Sequence, residues 1–389
     1  MKHLKKFEGN NAYNQFKKSP NYVWPNVSKI DIDLSSFTMD YHKEENNIIR
    51  YWAPSKLPET TSNKSGGLHT DKFNTTITEH TFENGMGVIK FANNVTELIG
   101  TNNQGEYGAF GNSNITHIIL PNTITNIGRC SFYKCQSLIN IELSSILKSI
   151  GYDAFNTCNN LLSIKLPDTV ESIGQSAFIG CSNLTSIKLS ESLISIGGYA
   201  FDGCSSLTSL IIPKNVTSIG TAQFGSFQNC SSLTSIKVHP NNTIYNSNNN
   251  CNAIIKTNTN ELVQGCKNTI IPSNITKICN HAFSGCTSIT SISLHEGITN
   301  IGINAFYRCT GLTSIILPST INFIDDYAFE NCSNLTSITI NAIEVPELDE
   351  SVFDNTNNCP IYLPAESVDA YKAAEEWSNY ASRIQAIPE

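Results

Sequence analysis

Apolar and polar positions along this chain recur with a period of 23 residues. A clear copy runs Ile150-Gly151-Tyr152-Asp153-Ala154-Phe155-Asn156-Thr157-Cys158-Asn159-Asn160-Leu161-Leu162-Ser163-Ile164-Lys165-Leu166-Pro167, and the next copies begin at Ile173-Gly174 and Ile196-Gly197. Self-similarity at such a period marks a solenoid of stacked units, none of which buries its apolar face alone. The last apolar residue of each strand-like piece sets the register: Phe91, Leu120, Leu143, Leu166, Leu189, Ile212, Val238, Ile271, Leu294, Leu317, Ile340 and Leu363. The step is 23 residues except for 29 from Phe91 to Leu120, 26 from Ile212 to Val238 and 33 from Val238 to Ile271. These longer steps read as a rung plus a loop: Thr101 to Tyr107, Gly220 to Gly225, and an Asn-rich patch followed by a hairpin. The hairpin would pair Asn252–Ile255 with Glu261–Gln264 around a polar turn, Ile254 facing Val263.

Each position in a rung has a physical task. Ile164 and Leu166 point inward from a short parallel strand while Ser163 and Lys165 point out. Pro167 ends the strand because it cannot donate to a ladder. Val170 and Ile173 return to the core from an opposite wall, and Gly174 is read as permitting a tight corner. Ala177 and Phe178 fill the core from a helical or 3-10 turn, and Cys181 completes the rung. The expected fold is therefore mainly β with short helical or 3-10 turns: a right-handed solenoid of about twelve 23-residue rungs over residues 85–363. Rungs about 4.7–4.9 Å apart make it roughly 50–55 Å long.

The ends depart from the period. Residues 1–60 read as a small N-terminal module, with a short helix at Asn10–Lys18 and strands at Val27–Ile32 and Ile48–Trp52. Residues 61–84 read as a linker or N-terminal cap. After Pro364, the stripe Val368, Tyr371, Ala374, Trp377, Ala381 and Ile384 predicts a capping helix over 364–389, with Glu366 and Asp369 early and Arg383 late, as the helix dipole favours.

Composition narrows the function. The 389 residues carry a formal charge of -8, which leaves no basic surplus for nucleic acid. No apolar run is long enough to span a membrane. Met1-Lys2-His3-Leu4-Lys5-Lys6-Phe7-Glu8 has a basic start without an apolar core after it, so it reads as no signal peptide. The eight histidines are scattered, and neither G-x-S-x-G nor H-E-x-x-H occurs. Without C-x-x-C pairs or His at ligand spacing, no metal or other cofactor is expected.

The phrase Ile-Gly-x-x-Ala-Phe-x-x-Cys-x-x-Leu-Thr-Ser-Ile-x-Leu-Pro, as in Ile196-Gly197-Gly198-Tyr199-Ala200-Phe201-Asp202-Gly203-Cys204-Ser205-Ser206-Leu207-Thr208-Ser209-Leu210, resembles the BspA-like leucine-rich repeat family over about residues 85–363. The ending Pro360-Ile361-Tyr362-Leu363-Pro364-Ala365-Glu366-Ser367-Val368-Asp369-Ala370-Tyr371-Lys372 is similar to the terminal cap of such proteins from gut Bacteroides-type bacteria. The resemblance implies a non-enzymatic protein, extracellular or at the cell surface, that binds a protein or glycan on a host or a neighbouring bacterium. The opening Met1–Phe7, with Pro25-Asn26-Val27-Ser28, also resembles the N-termini of phage or prophage structural proteins, which implies a virion-associated or receptor-binding part as the alternative. Oligomeric state is left open.

Two side-chain series stand out. Eight of the 13 cysteines share one rung position: Cys135, Cys158, Cys181, Cys204, Cys230, Cys286, Cys309 and Cys332. Stacked side chains send their Cβ bonds parallel, so these read as buried thiols rather than disulfides. Cys251 and Cys266, flanking the hairpin, are a separate pair that its register would let face each other. The outward strand column runs Ile119, Glu142, Lys165, Lys188, Ile211, Lys237, Ser293, Ile316, Thr339. Lys165, Lys188 and Lys237 would attract an acidic glycan if this face binds; otherwise they are the solvated side of a sheet. The loops are the other candidates, because loops carry function on rigid scaffolds. Tyr107, Phe224, Phe227 and Tyr245 lie in or beside them.

Overall fold

The computed structural model describes residues 46–388 except 63, 102–105 and 222. The expected elements at Asn10–Lys18 and Val27–Ile32, and the phage-like N-terminus, lie outside the described residues.

The described chain winds as a solenoid with three walls. The first wall carries the strands of the leucine-rich phrase. Ser163–Lys165 pairs in parallel with Ser186–Lys188, and Ser314–Leu317 with Ser337–Ile340, each strand meeting its counterpart one period later. The second wall is a ladder of two-residue strands in which Ile127, Ile150, Ile173, Ile196 and Ile219 sit over one another. Its first member is Glu97–Leu98, parallel to Asn126–Ile127. Parallel strands buried on the inner face stack like over like, so the core repeats itself rung by rung.

The third wall bears Ala and Phe, and here the structure differs from the expected helical turn. Alternate amides take different partners. Ala154 and Asn156 donate three residues back, to Gly151 and Asp153, at 3.3 and 3.2 Å. Asp153, Phe155 and Thr157 donate to Gln175, Ala177 and Ile179 of the next rung at 3.1, 2.7 and 2.7 Å. A helix would spend every amide inside its own rung. The alternation requires left-handed residues, and Asp153 and Thr157 have φ of 55° and 59°. The same two positions recur as Ser176 with Gly180, Tyr199 with Gly203 and His281 with Gly285. Gly174, which follows the second-wall Ile173, has another role than the corner expected of it. A Cβ on Gly174 would lie 2.7 Å from the backbone of Gly151 and Tyr152, so close approach between rungs excludes a side chain.

Both ends correct the expectation. Phe91 does not close a rung. Its strand, Met86–Phe91, runs antiparallel to Ile77–Glu83 on one side and to Ile48–Trp52 on the other. Ile48–Trp52 then pairs antiparallel with His117–Ile119, so this strand belongs to the solenoid's sheet and not to a module ending at residue 60. Leu57, Leu68 and Phe73, from the stretch between, are buried in the same core. At the C-terminus the long helix is absent. The α-helix spans only Val368–Ala373, a 3-10 turn follows at Trp377–Tyr380, and Ile384–Ala386 is a strand parallel to Ile361–Leu363. Ile361 pairs with Ile384 and Leu363 with Ala386, again one period on. The cap is a further turn of the solenoid whose core positions are taken by Tyr371 and Trp377, both fully buried.

The longest interruption makes a seam. The hairpin forms, with Ile254 opposite Gln264 and a bulge before Ile255–Leu262, one place off the expected pairing with Val263. Its second strand, Glu261–Gln264, pairs in parallel with Lys277–Ile278 and so founds a new second-wall ladder separate from the six-stranded one before it. The buried side chains accordingly fall into two clusters, which meet about the hairpin. Cys251 and Cys266 are free, buried thiols.

Candidate binding surfaces

On the strand face the register places Lys165 directly beside Lys188. Both are exposed, as is Lys237, but Lys237 pairs with Ile211, so an apolar side chain 61 % exposed divides the lysines. Lys188 reaches Asp168 at 3.6 Å, with both side chains about 60 % exposed, a pair worth little against solvent. Ser209, Ser314 and Ile316 on the same face are exposed as well.

The four loop aromatics separate. Phe227 is a core residue: it is 1 % exposed and stacks on Phe201 at 5.3 Å, because Ser226-Phe227 takes the place of Ala-Phe in its rung. Tyr245 is 7 % exposed and opens the strand pairing with Lys256. Neither offers a surface for a ligand. Tyr107 is half-buried between the rings of His69 and Tyr133, at 6.1 and 5.9 Å. Phe224 packs on Tyr199 at 4.8 Å and stays half-exposed.

The structure also unites residues that looked scattered. His80 Nδ1 lies 2.7 Å from Glu59 Oε1, and its Nε2 lies 2.7 Å from the Tyr51 hydroxyl, which accepts from the Leu57 amide. Carboxylate, imidazole and hydroxyl in this order could relay a proton. Tyr51 is fully buried, however, and burial pushes the His80 pKa down and the Tyr51 pKa up. The array's chemistry is a hydrogen-bonded tie that pins residues 57–59 to the strands Ile48–Trp52 and Ile77–Glu83. Asp325, Asp326 and Asp349 form a second group, with carboxylate oxygens within 4.8 Å of one another. It arises where Asp325 follows Ile324 as Gly302 follows Ile301, and Asp349 repeats the position in the next turn. No spacing signal in the sequence announces either group.

The family "BspA type Leucine rich repeat region" matches in six copies, at residues 103–226, 160–264 and 253–374. These stretches cover well over half of the chain. The protein belongs to the BspA-type leucine-rich repeat family. No curated protein matches it. Among solved structures, a leucine-rich cell surface protein from Faecalibacterium prausnitzii A2-165 is 23 % identical, with a TM-score of 0.51 over 79 % of this chain and 90 % of that one. The pneumococcal vaccine antigen PcpA is 18 % identical, with a TM-score of 0.53 over 76 % and 85 %. At such identities the likeness is one of fold. The repeat solenoid of this BspA-type protein is thereby shared with a bacterial cell surface protein, and among its described residues no helix is long and apolar enough to cross a membrane.

Proposed function

We propose that this BspA-type protein is a non-enzymatic binding or adhesion protein, extracellular or at the cell surface, that presents its solenoid to a protein or glycan partner. The observation that carries the reading is the exposed strand column, held in strict register by a core that repeats once per rung. Such a face is long and rigid, and it offers side chains at fixed intervals with little backbone to order on binding. The location rests on the surface description of a protein with the same fold. The test is adherence of the purified chain to host epithelial cells, mucin and neighbouring bacteria. Charge reversal of Lys165, Lys188 and Lys237 together should weaken adherence to acidic surfaces and leave folding intact. Adherence to none of them would refute the reading. Deleting the hairpin is not a suitable control, because Glu261–Gln264 founds the second ladder.

A further inference from the structure

The seam builds a groove on the turn wall. Phe227 and Phe283 lie more than two full periods apart in the sequence, yet the turn wall closes that interval in one step. Asn229 N–H donates to Ser284 O at 2.9 Å, just as Gly203 N–H donates to Gln228 O at 3.0 Å one rung earlier. Most of the chain from the strand end at Val238 to the turn at His281 leaves this wall, but Gly265 N–H returns to it and donates to the Ala282 carbonyl at 2.8 Å. At the join, Gly225 stands where Tyr199 stands in the rung before, and a Cβ there would come within 3.0 Å of the His281 Cβ. His281 is buried, and its Nε2–H donates to the Gln223 carbonyl at 2.8 Å, which fastens the second insertion to the far side of the seam. Across the join a groove of about 320 Å³ crosses five successive turns, from Tyr199 and Asp202 at one end to Tyr327 and Glu330 at the other.

Its lining is aromatic and polar together. Tyr199, Tyr307 and Tyr327 supply rings, and Tyr327 is 36 % exposed. Each carboxylate is fixed by an amide: Asn229 donates to Asp202 at 2.7 Å and Asn331 to Glu330 at 3.0 Å. Gln228 is 4 % exposed, and its Oε1 accepts from no described residue. An acceptor desolvated in this way needs a donor. No Lys or Arg is among its lining residues and two carboxylates are, so a phosphate, a sulfate or a sialate is disfavoured, although Arg308 lies over the Tyr307 ring. A lysine side chain would meet a carboxylate and a tyrosine face at one point, but its single ammonium could not serve acceptors spread over five turns. A saccharide brings apolar C–H faces for the rings and many hydroxyl donors for the acceptors, a combination that matches how small-molecule sites are lined.

We propose that this groove binds a short uncharged oligosaccharide along the turn wall, its apolar face against Tyr327 and its hydroxyls on Glu330 and Asp202. The site is separate from the strand-face lysines, although the inference shares with that reading the premise that the protein binds glycans or proteins at all.

The full chain is applied to a printed array holding uncharged, sialylated and sulfated glycans. Binding should be confined to uncharged members and unchanged between low and high salt. Tyr327→Asn should weaken it at least tenfold, and Tyr327→Asn with Glu330→Gln should abolish it. Both positions are at the surface, and Asn readily adopts the φ of 57° found at Tyr327, so unchanged thermal melts are expected. Binding to no uncharged glycan, binding that survives both substitutions, or salt-sensitive capture of polylysine in its place would each overturn the proposal. An empty array with adherence to cells intact would dispose of the groove's ligand and leave the adhesion function standing. Loss of both would remove the adhesion function too.

Discussion

The Cys181 thiol donates to the carbonyl of Phe155, one rung earlier, at 3.2 Å. The same bond joins Cys158 to Phe132, Cys204 to Phe178, Cys309 to Phe283 and Cys332 to Phe306, at 3.1–3.3 Å. Each cysteine thus ties two rungs together with a thiol, which a disulfide would consume. Burial pushes the Cys181 thiol up to about 12. Thiolate is the reactive form, so these cysteines should resist alkylation at pH 8 in the folded protein and react on unfolding. Mass spectrometry after iodoacetamide treatment, with and without guanidinium, checks this. Rapid native labelling at Cys181 would contradict the buried ladder. Cys181→Ala should cost about 1–2 kcal/mol, from one lost hydrogen bond and a small cavity.

The phenylalanine rings stack beside that ladder. Phe155 lies 5.0 Å from Phe132 and 5.1 Å from Phe178, all three nearly parallel. Phe155→Ala should cost about 3–5 kcal/mol in denaturant melts, as for other buried aromatics. Because the buried side chains fall into two clusters, the loss should be local. Hydrogen exchange should quicken across residues 98–238 while residues 300–363 keep their protection. Uniform acceleration along the chain would mean that the seam transmits cooperativity.

The period made the core legible because stacking demands the same residue at the same place: Phe155 over Phe132, Ile173 over Ile150. It failed where other spacings fit as well. Tyr371, Trp377 and Ile384 satisfy helical spacing, but Ile384 also follows Ile361 by one full period, and the sheet bond decides between the two. Phe227 was hidden because Ser226 replaces the alanine that marks its neighbours. The left-handed turn positions leave little signal, since Asp153, Ser176, Tyr199 and His281 all fill one of them. Of the surface, the lysine register was readable and the groove was not. Tyr199 and His281 come together only because the wall skips the hairpin, and no local pattern encodes that closure.

The acidic group near the C-terminal end sets a pH dependence. The Asp349 pKa is raised from 3.8 to about 6, first by burial, then by its hydrogen bond to Asp325 and the charges of Asp326, Asp325 and Glu347. The folded state therefore prefers Asp349 protonated. Its contribution is fully present below about pH 3.8 and is lost as the pH rises through 6. Asp349→Asn should match the native melting temperature near pH 4 and exceed it at pH 7–8. A difference that stays constant across that range in thermal melts would show that the charges do not interact as the geometry implies.

The C-terminal turn depends on Arg383. Its Nε donates to the Cys359 carbonyl at 2.8 Å, Nη1 to the Phe353 carbonyl at 3.2 Å and Nη2 to Thr356 Oγ1 at 2.8 Å. Beside it, Trp377 Nε1–H donates to Pro346 O at 2.8 Å, so the cap is sewn to the preceding turn by side chains as well as by its strand. A guanidinium serves this role because its planar donors are fixed relative to one another, and Lys would keep the charge but lose the fork. Arg383→Lys and Arg383→Ala should both destabilise the cap, Ala by about 2–4 kcal/mol from hydrogen bonds to a charged donor. Limited proteolysis should then release residues after Leu363 before the rest of the array is cut. If the Lys variant behaves like the native protein, charge near the end of the chain is what matters, as the helix-dipole reading of the sequence would have it, and the fork is incidental.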